Sequence, residues 1–260
     1  MLERLPYCGL PPVPGELLTR FNLDPVLILA LLALGIGHFA RVATPRARLA
    51  AACGWSLTAA ALISPLCALS VALFSARVAQ HMILVLLAAP LIAYAWPLRK
   101  PVESFGHELG RSSGMLWASA AVFFIALWFW HMPAPYDATF SSTTVYWLMH
   151  VTLFGSAVVL WRELLHHRPD RTADVLTVGA LTSMQMGMLG AVLTFAGHPL
   201  YFWHLLTLTT VWGLTPLQDQ QLGGVFMWVP GILLFLWAAL RSLGRLWNVL
   251  EGAKRGAKTA

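Results

Sequence analysis

Residues 78–96, VAQHMILVLLAAPLIAYAW, run for 19 positions without a charged side chain. A helix of about 20 residues at 1.5 Å per residue crosses the roughly 30 Å of hydrocarbon in a bilayer, so this stretch is predicted to be a membrane span. In lipid every backbone N–H and C=O must be satisfied within its own segment, which makes the span a helix. Similar apolar runs cover 25–40, 49–66, 115–130, 145–161, 175–195 and 223–240. The expectation is an all-α, polytopic membrane protein of seven transmembrane helices. The composition agrees: 58% hydrophobic and only 11% charged residues lie far from the about 25% charged of a soluble domain.

Orientation comes from the basic residues. Arg41, Arg46 and Arg48 follow the first run, Arg99, Lys100 and Arg111 the third, and Arg162, Arg168 and Arg171 the fifth. Arg241, Arg245, Lys254, Arg255 and Lys258 follow the seventh. These alternate loops hold 14 of the 17 Lys and Arg, leaving Arg4, Arg20 and Arg77 for the other side. The N-terminus is therefore expected outside and the C-terminus in the cytoplasm. Three parts follow: a short extracytoplasmic tail (1–24), the helical domain (25–243) and a basic cytoplasmic tail (244–260). The net charge of +6 marks topology and not nucleic-acid binding, because the cations sit in short clusters between apolar runs.

The first 24 residues hold four prolines and no apolar core, so they do not read as a cleavable signal peptide. Cys8, Cys53 and Cys67 form no CxxC pair, and no disulfide framework is expected. Pro230-Gly231 makes the last span the one expected to bend. There is no Walker loop, GxSxG elbow or HExxH motif, so the chain is not expected to be an enzyme.

The histidines divide by side. His38, His107, His166 and His167 fall toward the cytoplasm, whereas His81, His131, His150, His198 and His204 all fall at the outer face. Measured from the starts of their runs, His81 and His150 lie roughly 5–8 Å below the outer boundary, where they could share one depth. Three of these histidines adjoin a methionine: His81-Met82, His131-Met132 and Met149-His150. Thioether and imidazole together suit soft Cu(I) better than Mg or Ca. Ionisable groups inside a membrane default to a functional hypothesis. Neighbouring helical residues point about 100° apart, so only one of each pair in a span can aim at a common centre. Cys67, Met227, His198 and His204 are additional candidates, and Asp137 and Asp219 in the outer loops are candidates to orient histidine N–H groups or loops. Haem held by two histidines, or a small-solute or metal transporter, are the alternatives. A transporter would need polar groups continuing through the inner halves of the spans, where His38 stands almost alone. Met184, Met186 and Met188 read as packing.

Several motifs are similar to a known family. Gln80-His81-Met82 leading to Ala89-Pro90-Leu91, Trp130-His131-Met132-Pro133 with Tyr136-Asp137, Leu193-Thr194-Phe195, Pro199-Leu200-Tyr201, and the long run Leu214–Gly224 (LTPLQDQQLGG) with Met227-Trp228-Val229-Pro230-Gly231 resemble the CtaG family of bacterial cytochrome c oxidase assembly factors. The resemblance implies a multi-pass protein of the bacterial plasma membrane, needed to make caa3-type haem–copper oxidase, with a role in copper delivery. Its partners would be cytochrome c oxidase subunits. The family commonly carries a histidine four residues before the one matched by His81, giving an HxxxH face; here that position is Arg77. The expectation is a non-enzymatic assembly factor with His81 and His150 as primary copper ligands, and His131, Met82, Met132 and Met149 as further ones.

Overall fold

The computed structural model describes residues 5–96, 113–167, 171–207 and 209–259. Arg4, Arg99, Lys100, His107, Arg111 and Arg168 of the charge and histidine patterns lie outside the described residues. Helices account for the described chain apart from turns and connections, and no strand occurs among the described residues. The helices are α1 (Pro25–Phe39), α2 (Pro45–Ile63), α3 (Pro65–Ala72), α4 (Phe74–Tyr94) and α5 (Ser113–Trp130). They continue with α6 (Pro133–Ser141), α7 (Thr143–Leu165), α8 (Thr172–Phe195), α9 (Phe202–Leu206) and α10 (Pro216–Thr259).

Each of the seven apolar runs holds a helix, but length and composition support four to six membrane spans. α4, α7, α8 and the first 33 residues of α10 qualify alone; the pairs α2/α3 and α5/α6 qualify when each is counted as one broken span. The breaks, 50° and 76°, fall at Pro65 and Pro133. Proline fits the first turn of a helix, where its missing N–H costs nothing, and so restarts the chain in a new direction. α10 instead runs through Pro230 as one helix, so the expected bend belongs to the earlier prolines. α1 has 15 residues, about 22 Å of rise, which is short for a span.

α4 is the central helix. It packs on α2, α3, α7 and α10, and 72% of its apolar window is buried, against 39% to 56% in the other three long helices. Immediately after His81 and Met82 it widens into a π turn, Ile83–Ala88. In π spacing the Val85 carbonyl would accept from residue 90, but Pro90 has no N–H to give. The indole of Trp161 on α7 takes its place, donating to the Val85 oxygen at 2.8 Å. α8 and α10 form the most extensive helix pair. They meet so closely at Gly190 and Gly224 that a Cβ on Gly224 would come within 2.7 Å of the Gly190 carbonyl oxygen, the small-residue contact that helix pairing in lipid favours.

The N-terminal segment is not a loose tail. A disulfide joins Cys8 to Cys67 at the start of α3, which corrects the expectation that the cysteines stay unpaired; Cys53 is free and exposed. The Asn22 amide donates to the Ile63 carbonyl at 2.8 Å, and Trp212 Nε1 donates to the Pro12 carbonyl at 3.2 Å. The ring of Tyr7 lies 4.8 Å from that of Tyr146 and 5.1 Å from that of Trp147. The segment turns at Pro6–Gly9 and forms a 3-10 helix over Pro14–Thr19, and the bundle supplies the partners that a tail of this length lacks alone.

Candidate metal centre

His81 stands seven residues into α4 and His150 seven residues into α7, about 10 Å along each helix. The shared depth expected from the sequence is met, because α4 and α7 are neighbours. The two rings have centroids 5.3 Å apart, and His131, just past the end of α5, lies 6.5 Å from His81. All three are buried. His131 Nδ1 and His150 Nδ1 face the carbonyls of Leu127 at 2.7 Å and Tyr146 at 3.0 Å, each four residues earlier on its own chain. A carbonyl can only accept, so Nδ1 carries the proton and Nε2 keeps its lone pair.

Three nitrogens are left without a hydrogen-bond partner: His150 Nε2 and both ring nitrogens of His81. A buried polar atom without a partner costs about 1–3 kcal/mol. His81 and His150, which carry these three atoms, line one crevice with Leu84, Val85, Leu153 and Phe154, with no room for a water molecule. Two imidazoles sharing one ion at about 2 Å from each nitrogen place their ring centres about 5 to 6.5 Å apart. The 5.3 Å spacing of His81 and His150 falls within that range. Among the described residues no group of three or more His, Cys, Asp or Glu is arranged to hold a metal. His81 and His150 form a pair, and His131 stands next to it.

Arg77, one turn before His81, is buried to 1% exposure. Its guanidinium lies over the rings of Phe140 at 4.1 Å, Tyr136 at 5.5 Å and Tyr146 at 5.7 Å. It donates to Thr139 Oγ1 at 2.8 Å and to the Ser70 carbonyl. The ring quadrupoles and these two acceptors replace the carboxylate that a buried cation otherwise demands.

The remaining candidates divide. Met82, Met149 and Met227 are buried in the main core cluster, whereas Met132 is 53% exposed. Cys67 is committed to the disulfide, and His198 is exposed on a loop. His204 on α9 is buried and shares a 2.8 Å hydrogen bond with the Tyr136 hydroxyl. Burial, and then the Arg77 charge, push its imidazole down to about 3, so it stays neutral. Both aspartates serve helix ends. Asp219 accepts from Phe74 N at 2.6 Å and Ser75 N at 3.0 Å, and Asp137 accepts from Phe202 N at 3.2 Å and Trp203 N at 3.3 Å. A carboxylate at a helix N-terminus satisfies orphan donors and complements the dipole. Asp219 therefore fixes the first turn of α4, two turns before His81.

Sequence reasoning missed Tyr146, whose ring packs 4.2 Å from that of His150. Their i, i+4 spacing on α7 was the available signal.

The family model described as cytochrome c oxidase caa3 assembly factor, Caa3_CtaG, matches residues 30–248. The chain belongs to this family. No similar curated protein and no similar solved structure was found. The match takes in α4, α5 and α7 with all three clustered histidines of this CtaG-family chain, and it leaves out Cys8 and the rest of the N-terminal segment.

Proposed function

We propose that this assembly factor holds Cu(I) between His81 and His150 at the outer face of the bacterial plasma membrane and passes it to a subunit of a caa3-type cytochrome c oxidase. The observation that carries the reading is a pair of imidazoles 5.3 Å apart that line a dry crevice and leave three buried ring nitrogens unpartnered. Cu(I) is soft, accepts two or three ligands and needs no bound water, and imidazole suits it. His131 and the neighbouring thioethers of Met82 and Met149 are the groups through which the ion would change hands. The protein contributes binding and placement, not catalysis.

Two observations support the outer placement. Lys and Arg concentrate in the alternate loops on the opposite side, and a disulfide sits at the histidine end of the bundle, as suits an oxidising compartment. The same asymmetry favours seven spans, with α1 crossing a locally thinned bilayer. Bis-histidine haem is the weaker reading, because a crevice too small for water has no slot for a porphyrin. The test is a deletion strain grown under conditions in which a caa3-type oxidase is assayed. Oxidase polypeptides should be made but lack copper and activity, with partial rescue by added copper. Normal oxidase activity would refute the assembly role.

A further inference from the structure

We propose that Cys8 and Cys67, once reduced, form a second Cu(I) site of two thiolates, one aromatic ring away from the histidine pair, which the disulfide keeps shut. Its role as a neighbouring station rests on the copper reading of His81 and His150; its chemistry does not.

The two cysteines have Cα atoms 5.4 Å apart, held by a folded segment against the start of α3. That separation also lets two thiolates close on one ion. Cys67 is fully buried, and Cys8 is partly accessible. The Tyr146 hydroxyl points at both sulfurs, 3.5 Å from Cys8 Sγ and 3.8 Å from Cys67 Sγ, and Asn22 Nδ2 points at Cys67 Sγ from 3.7 Å. A disulfide sulfur is a weak acceptor, whereas a thiolate is a strong one. This donor set therefore gains most when the bridge is open. A bis-thiolate Cu(I) unit carries one net negative charge. Arg77, a buried cation with no carboxylate partner among the described residues, lies 5.7 Å from the ring of Tyr146. From that ring it is 4.2 Å to His150, and from His150 it is 5.3 Å to His81. Sulfur ligands, the tyrosine and the two imidazoles thus form one continuous row.

Opening the bridge takes an external dithiol. Its thiolate attacks Sγ of Cys8, the partly accessible residue of the pair; the S–S bond breaks and Cys67 leaves as a thiolate. The second thiol of the reductant then closes on its own sulfur, releasing Cys8 as a thiolate. The reductant ends as a disulfide, having supplied two electrons, and its two protons go to solvent. Cu(I) takes the place of those protons between Cys8 and Cys67.

The test uses the full chain in detergent with Cys53→Ser as background, and Cu(I) alone as probe. Bound copper per chain is measured after chelator washing, with and without phosphine reductant. The reduced protein should hold one more Cu(I) than the oxidised one. The His81→Ala, His150→Ala variant should keep that reductant-dependent increment, and the Cys8→Ser, Cys67→Ser variant should lose it. Failure of the histidine site alone would leave the increment intact, so the two readings fail separately. No increment in the reduced protein, or an unchanged one in the double cysteine variant, would overturn the proposal. A second measurement needs no cysteine substitution: Cu(I) should protect Cys8 and Cys67 of the reduced protein from alkylation, and undiminished alkylation of both would overturn it equally.

Discussion

Arg77 holds its guanidinium 4.1 Å over the ring of Phe140, one helical turn before His81. The charge is thereby kept beside the imidazoles with no carboxylate paired to it among the described residues, and it opposes a second cation there. Replacing Arg77 with His removes that repulsion and offers a further imidazole on the same face of α4. Cu(I) retained against a competing chelator should rise at least tenfold, about 1.4 kcal/mol. Arg77→Met, which removes the charge without adding a ligand, should give a smaller gain. Weaker retention by folded Arg77→His protein would show that the cation does not oppose the metal.

Trp161 stands in for the N–H that Pro90 lacks. Trp161→Phe keeps the aromatic contact with Phe235 but strands the Val85 carbonyl. A buried acceptor left without its donor costs about 1–3 kcal/mol, which should appear as a lowered thermal midpoint in detergent. Restoring a donor at residue 90 with Pro90→Ala in the same chain should recover part of the loss. An unchanged midpoint in Trp161→Phe would show that the carbonyl finds another partner.

Asp24 caps α1 through Val26 N at 2.9 Å and accepts a hydrogen bond from the Tyr7 hydroxyl. That bond, with the backbone N–H groups, holds the carboxyl below the usual carboxylate range. A carboxyl lowered by folding adds stability above its unfolded value, about 3.9, and loses it as pH falls through the folded one. Wild type should therefore exceed Asp24→Asn in thermal midpoint at pH 6, and the gap should narrow as the solution is acidified below the unfolded carboxyl value. A gap independent of pH would assign the effect to packing of Tyr7 and not to charge.

The helices were legible because an apolar run of adequate length leaves the backbone no other solution in lipid. The meeting of His81 and His150 was legible too, since depth along a span follows from residue count; His131, past the end of its apolar run, was a further candidate without such a count. What escaped were relations between distant segments. Cys8 and Cys67 are 59 residues apart and share no motif, so only the folding of the first 24 residues onto α3 brings them together. The setting of Arg77 depends on Phe140 and Tyr136 of α6 and Tyr146 of α7, whose approach no local spacing announces. The bend at Pro65 was hidden because a proline in an apolar run reads the same whether it starts a helix or interrupts one, and that at Pro133 because it falls in a connection between runs, where no helix was expected.

Charge asymmetry makes a prediction about topology. Reporters placed after Arg171 and at the C-terminus should be cytoplasmic, and one within 205–220 should be external. A cytoplasmic result from the last would put the histidine pair on the wrong side for delivery to an outer oxidase subunit.

The most direct test is the copper content of the His81→Ala, His150→Ala variant, purified without reductant so that the cysteine bridge stays closed, and washed with chelator. The variant must first match the wild type in gel filtration and helical content. Wild type should retain one Cu(I) per chain, and the double variant should retain less than a tenth of that, because one imidazole, His131, and the thioethers bind the ion weakly without the pair. His166→Ala, His167→Ala, at the far end of α7, should be indistinguishable from wild type. Copper content in the His81→Ala, His150→Ala variant equal to that of the wild type would contradict the histidine pair as the site.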